Sequence, residues 1–455
     1  MGARITDSQL YAHLWGTDEL RAVFDERARL QGWLDVLAAL ARAQAKLGIV
    51  PTEAADAITE HGTVDRLDLD FVAEETRRTS HSTLGLIRGL QRVLPPTAAE
   101  HVYLGVTVQD VTDTWTVLAL REVGRVVWRD LRAVEGLLLD LAERHRDTVM
   151  VGRTHGQPGA PITFGFKAAS WADEVRRHLD RLREGRARWL VGQLGGAVGI
   201  LGFFGADGPG LRSAFCAELG LDDPGISWLT SRDRLAELAS LLAMVTGTLA
   251  RIGNEVLELQ RPEIGELRES TTADVVGSIT MPHKRNPERA EHLDTLARLV
   301  RAQAGVLLEG MVQLHERDGR AWKAEWVALP EVCLLTGAAL RTAIDLLRGL
   351  EVDAGAMAAR VAGDASVAGS ERVLAALTAR LGRHRAQEAL HRALAPGGAA
   401  GARPVVEAVV GDGLLTAAEA AELLASPGVE GAVAMVDEVV SRGRAARSSE
   451  SPAWA

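Results

Sequence analysis

The apolar positions of this chain recur at helical spacing over long stretches. Between Asp113 and His145 they fall at Leu120, Val123, Val127, Leu131, Val134, Leu138 and Leu141. Between Arg232 and Gln260 they fall at Leu235, Leu238, Leu242, Val245, Leu249, Ile252, Val256 and Leu259. Steps alternating between three and four draw one apolar seam along a helix, and seams this regular predict long helices packed about 20° off parallel. Residues 161–190, 288–317 and 330–350 give three further candidates, for a central five-helix bundle over residues 97–350. Helices of about 30 residues run about 45 Å. A single bundle of that length leaves an apolar seam uncovered, so the pattern predicts a homo-oligomer.

Residues 18–49 read as one helix, with Leu30, Trp33, Leu34, Leu37, Leu40 and Ala41 on a common face and Gly48 and Pro51 closing it. The run Leu94-Pro95-Pro96-Thr97 breaks the chain and ends an N-terminal helical domain over 1–96. After Glu351 the sequence turns Ala- and Gly-rich, with shorter helices and a loop at 396–404. It reads as a small C-terminal helical domain over 351–455 whose last stretch, SRGRAARSSESPAWA, is expected to be disordered. The fold class is all-α, in keeping with aromatics at only 4%.

Composition narrows the function. Acidic residues outnumber basic ones 61 to 51, a net charge of −10, which argues against a partner held by phosphate neutralisation, so no nucleic acid is expected. Cys216 and Cys333 form no CxxC pair, as expected in a reducing cytoplasm. The N-terminus has no secretory pattern. The most apolar run, 238–250, falls short of the roughly 20 residues of a membrane span, so a soluble protein without a membrane partner is expected. Twelve histidines include no HExxH and no ligand-like cluster, so no metal site is expected.

Four polar segments at the ends of the long helices do not read as packing sequence: LGVTVQDVTDT at 104–114, VGRTHGQP at 151–158, VGSITMPHKRNP at 276–287 and HERDGRAWKAEW at 315–326. In the third, Gly277 and Pro282 predict a tight irregular loop, and Thr280, His283, Lys284, Arg285 and Asn286 supply donors just ahead of a helix start. Donors converging at a helix N-terminus favour an anion. A lone Lys-Arg-Asn triplet would usually be solvated charge, but the whole dodecamer is far rarer by chance.

GSITMPHKRNP resembles the GSSxMPxKxNP signature of the fumarase/aspartase superfamily, which includes adenylosuccinate lyases, argininosuccinate lyases and carboxymuconate cycloisomerases. GRTHGQP and GVTVQD resemble its two other signature regions, in the expected order, and the resemblance runs over nearly the whole chain. It implies a three-domain all-α subunit, a homotetramer on a twenty-helix core, an active site assembled from three subunits, a small dicarboxylate substrate, and no metal or organic cofactor.

The reaction the resemblance implies is anti elimination from a substituted succinate. A proton beside a carboxylate is weakly acidic, so its removal needs preorganised donors for the dianion that develops. By resemblance Ser278 is the base, credible only as an alkoxide held by backbone N–H groups and Lys284 in a dry site. His155 matches the histidine that protonates the leaving group, and Glu291 the carboxylate paired with it. Lys284 and Asn286 match binders of a substrate carboxylate, and Thr107 and Thr154 its hydroxyl donors. Gln193, in QLGGAVG, resembles a substrate-contacting glutamine. His81, in TSHSTLG, resembles a second histidine, although Ser82 replaces the usual Asp. Gln109, Arg153 and Met281, inside the same motifs, complete the expected substrate-binding set. His101 and His283 read as structural or peripheral.

The departures suggest a small or less polar ligand: Ile279 replaces the second signature serine, and Val108 the serine expected after Thr107. The serine-rich run of adenylosuccinate lyases is missing. RDGRAWKAEWVALPE and WLTSRDRLAELASLLA resemble the carboxymuconate cycloisomerase branch, whereas GRTHGQP resembles the elimination enzymes. The mixture resembles nitrosuccinate lyases of antibiotic biosynthesis, and the expected reaction is nitrosuccinate to fumarate and nitrous acid. The alternatives are a 3-carboxy-cis,cis-muconate cycloisomerase, an adenylosuccinate lyase and a non-enzymatic structural homotetramer.

Overall fold

The computed structural model describes residues 4–270, 278–281, 283–363, 369–394 and 405–454. Gly277, Pro282 and the loop at 396–404 lie outside the described residues. Among the described residues the chain is all-α apart from two small antiparallel pairs of strands. Among its helices are α1 (Asp18–Phe24), α2 (Glu26–Lys46), α3 (Val108–Arg144), α4 (Phe164–Trp189), α5 (Asp233–Gln260), α6 (Glu288–Glu309), α7 (Gly319–Arg348) and α8 (Glu430–Ser449). The strands are β1 (Val149–Thr154), β2 (Gln157–Thr163), β3 (Leu267–Arg268) and β4 (Glu351–Val352). Helices α3 to α7 are the five of the sequence pattern. Their seam residues are buried: Leu131, Val134 and Leu138 on α3, Leu242, Val245 and Leu249 on α5. Both α5 and α7 are apolar enough in composition to cross a bilayer, yet 67% of each apolar window is buried within the molecule.

One hydrophobic core runs from Leu20 through α2 and the central helices to Trp454. A second, small core holds Val373, Leu377, Ala386, Leu390, Val405, Val409 and Leu415. Apolar side chains also remain exposed along the bundle helices, among them Leu299 and Leu308 on α6, Met311 and Val312 after it, and Val327 on α7.

Several local expectations are corrected. Residues 18–49 are two helices, because Asp25 is extended (φ −55°, ψ 148°) and its carboxylate accepts from the amides of Arg27 and Ala28, capping α2. Helix α7 begins at Gly319, not near Pro330. Asp318 caps it, and Pro330 is accommodated inside it, although proline removes one ladder hydrogen bond. The segment at 315–326 is therefore irregular only up to Asp318. GRTHGQP, expected as a polar segment at the end of a long helix, is the tip of the β1–β2 hairpin. Its two-residue turn, His155 (φ 53°) and Gly156 (φ 74°), is left-handed at both positions, the geometry that matches the twist of a tight hairpin.

The largest correction is the C-terminus. The expected disordered tail is the end of α8 plus an anchored segment. Glu450 accepts from Arg176 at 2.7 Å and from Arg132 at 3.1 Å. Trp454 is 6% exposed and donates its indole N–H to the Leu182 carbonyl at 3.1 Å. The polar, Arg- and Ser-rich composition concealed this because a single aromatic ring supplies the anchor. Gly124 makes the socket, since a Cβ there would lie 2.0 Å from the Trp454 ring. Trp454→Ala is expected to cost about 3–5 kcal/mol, as for other buried tryptophans. A thermal melt checks this, and a melting temperature equal to wild type would show that the ring anchors nothing.

Candidate functional site

The first cluster sits at the N-terminus of α3. Thr107 and Asp110 form a capping box, in which the Asp110 carboxylate accepts from the Thr107 amide at 2.9 Å. Asp110 is 1% exposed and also accepts from the amides of Gly195 at 2.8 Å and Gly196 at 3.0 Å. Burial pushes its carboxyl up to about 6, against the opposing pull of these N–H groups. Gln193 is fully buried. Its amide donates to Ser227 at 3.0 Å and Asp110 at 3.3 Å and accepts from the Trp228 amide at 2.9 Å. Gln109 is buried and donates to the Leu229 carbonyl at 2.7 Å. Within one chain, both glutamines thus join the 193–196 turn, residues 227–229 and α3. Val108 is buried. His81 is exposed, and its Nδ1 accepts from the amides of Thr83 at 3.4 Å and Leu84 at 3.2 Å.

The second cluster is the β1–β2 hairpin. Arg153 pairs through both guanidinium NH2 groups with Glu266, at 2.8 and 2.9 Å, and Glu266 is fully buried. This pair fixes the hairpin to the segment that carries β3. Thr154 and His155 stand exposed at its tip. The His155 ring has no hydrogen-bond partner among the described residues of one chain, so the implied pairing with Glu291 is not made within one chain.

The third cluster precedes α6. Ser278 Oγ accepts from the Met281 amide at 3.0 Å, and the Met281 carbonyl accepts from the Lys284 amide at 2.9 Å. Met281 and Lys284 are exposed. The Asn286 amide donates to Glu288 at 3.2 Å. Glu291 lies exposed in the first turn of α6. Glu269 holds the helix start, accepting from the amides of Ala290 at 2.8 Å and Arg289 at 3.2 Å. Burial raises the Glu269 carboxyl above its ordinary range.

Asp110, Glu266 and Glu269, three buried carboxylates that hold the motifs in place, were missed by sequence reasoning. Only Asp110 left a signal, the Thr-x-x-Asp capping pattern. The partners of the other two lie on elements distant along the chain or defined only by the fold. Among the described residues no group of three or more His, Cys, Asp or Glu is placed to hold a metal ion.

Comparison with known proteins places this geometry. A lyase family model matches residues 15–302. The chain is 41% identical over 391 residues to an N-acetyl-S-(2-succino)cysteine lyase of Dickeya dadantii, covering 86% of both chains. It is 41% identical over 382 residues to a 3-carboxy-cis,cis-muconate cycloisomerase of Pseudomonas aeruginosa, covering 83% of both. Among solved structures it matches a 3-carboxy-cis,cis-muconate lactonizing enzyme from Pseudomonas putida with a TM-score of 0.85 and 35% identity, over 96% of this chain and 99% of that one. With the all-α architecture and the motifs at the ends of its long helices or on the hairpin between two of them, the chain belongs to this lyase family, within the fumarase/aspartase superfamily.

Proposed function

We propose that the protein eliminates a substituent from a substituted succinate and releases fumarate, acting as a cytoplasmic homotetramer. The observation that carries this reading is the placement of three polar segments, around Thr107, Thr154–His155 and Ser278–Asn286, at the ends of separate long helices or on the hairpin between two of them. Thr154, His155 and Lys284 stand exposed, Ser278 is half-buried, and Thr107 is buried with its hydroxyl accepting from the Asp110 amide. Apolar residues exposed along α6 and α7 support burial of the bundle against further copies, which would bring segments of different copies together.

In that assembly Ser278 takes the proton beside a substrate carboxylate. Lys284, Asn286, Thr107 and Thr154 hold the carboxylates and the negative charge that develops, and His155, paired with Glu291 of another copy, attends the leaving group. Gln193, Gln109, Arg153, His81 and Met281 complete the surroundings. Donors fixed before the reaction stabilise such charge at no reorganisation cost.

Two leaving groups are favoured by particular observations. The apolar Ile279, 94% exposed on the signature loop, favours a small, weakly hydrogen-bonding group such as nitrite. The 41% identity to a succinocysteine lyase favours a thiol. Nitrite departs as a weakly basic anion and asks little of a general acid, whereas a thiolate, with a thiol pKa of about 8.5, is the more basic leaving group. Incubation with 2-nitrosuccinate, N-acetyl-S-(2-succino)cysteine and adenylosuccinate, followed by the ultraviolet absorbance of fumarate, is expected to give fumarate from one of the first two. Fumarate from none of them would refute the elimination reading. Lactone formation from carboxymuconate without fumarate would select the cycloisomerase reading, which the Pseudomonas relatives favour.

A further inference from the structure

Asp110 is a buried carboxylate with no ion-pair partner among the described residues. Such a charge is costly unless hydrogen bonds satisfy it. The capping box alone asks only that it accept from the Thr107 amide. Instead the carboxylate gathers four N–H groups from two separate segments: Thr107 N at 2.9 Å, Gly195 N at 2.8 Å, Gly196 N at 3.0 Å and Gln193 Nε2 at 3.3 Å. The turn it holds accepts few other sequences. Gly196 has φ 71°, and a Cβ on Gly195 would lie 2.5 Å from Ser227 Oγ. The turn also lies against the loop that leads into α3, because a Cβ on Gly196 would sit 3.4 Å from the Gly105 carbonyl. One charged group therefore fixes both the residue proposed to donate to the substrate and the turn packed beside it.

We propose that Asp110 is a positioning residue, whose charge holds Thr107 and the 193–196 turn in the geometry that receives a substrate carboxylate. This rests on the elimination reading and adds to it a residue that does not touch substrate. Asparagine in its place keeps the shape, but its NH2 faces two N–H groups where a lone pair is needed, so two of the four bonds are lost whichever way the amide is turned.

The test is a double-mutant cycle on the succinate derivative that the wild-type protein converts. Asp110→Asn and Thr107→Ala are each expected to lower kcat/KM about 10²-fold, as for loss of one donor to a developing oxyanion. If Asp110 acts through Thr107 and the turn beside it, the double variant loses less than the product of the two single losses. A merely structural role gives losses that multiply, as at independent sites, and that result overturns the proposal. Should Asp110→Asn not fold, amide hydrogen exchange of the wild-type protein decides. Slow exchange at Thr107, Gly195 and Gly196 without ligand, unchanged by fumarate, is expected, and fast exchange that slows only on ligand binding overturns the proposal. Failure of the wild-type protein to turn over any succinate derivative is a different result, since it removes the elimination reading itself.

Discussion

Ser278→Ala is expected to lower fumarate release by about 10⁴-fold, the upper end of what one positioned proton-transfer group contributes. The variant should keep its fold and its assembly. Ser278 is half-buried on an irregular loop, and the bond it makes among the described residues is the one its Oγ accepts from the Met281 amide, at 3.0 Å. Removing that acceptor leaves the amide close to solvent, so the stability change stays within about 0.5 kcal/mol, as for other surface substitutions. The large effect on turnover follows from the proposed chemistry. A serine hydroxyl is a poor base, and its use requires that charge on Oγ be stabilised by amides and by the exposed Lys284 when the loop covers substrate. Alanine removes the group outright, and no other side chain of the motif has an oxygen at that position. Stopped-flow or steady-state assay of fumarate, with a thermal melt and size-exclusion chromatography on the same preparation, separates the effects. Turnover within tenfold of wild type would exclude Ser278 as the base, and loss of the oligomer would show that the loop has a structural role instead.

Legibility differed between the bundle and the site. The five long helices follow from local periodicity, because a seam of Leu and Val at steps of three and four can be buried in few ways. The hairpin did not, because its strands are short, carry Pro158 and Pro161, and turn at His-Gly in place of the commoner Asn-Gly. The motif residues could be named from their resemblance, but not what fixes them. Arg153 and Glu266 are 113 positions apart, and Asp110 and Gly195 are 85 apart. Partners so far apart along the chain meet only once the helices have packed. The anchored tail was hidden for a related reason, since Trp454 becomes meaningful only beside the gap left by Gly124 on another helix. Spacing reports what a segment does alone, whereas these supports belong to pairs of segments.

The same distinction explains the second large effect, expected at Arg232, a residue that the sequence marks only as one charge among many. Its side chain is 1% exposed. The guanidinium donates to Asp113 on α3 at 2.7 and 3.1 Å and to Glu325 on α7 at 2.9 Å, and its carbon sits 5.1 Å from the centre of the Trp228 ring. Three elements that frame the Thr107 cluster are thus tied through one cation. Arg232→Met leaves two buried carboxylates facing each other without it, and breaking a buried pair in this way typically costs about 3–5 kcal/mol. The sign of the pH dependence follows. Burial already raises the Glu325 carboxyl, and Arg232 opposes the rise, so removing the cation raises it further. A carboxyl whose pKa is higher folded than unfolded binds more protons in the folded state, so stability falls as pH increases across that window. The deficit of Arg232→Met relative to wild type should therefore be larger at pH 8 than at pH 5. Adding Asp113→Asn and Glu325→Gln to Arg232→Met should recover much of the loss, because no buried charge then lacks a partner. Melting curves at the two pH values decide. A deficit independent of pH, or a triple variant no more stable than the single one, would mean that Arg232 acts through its packing against Trp228 and not through its charge.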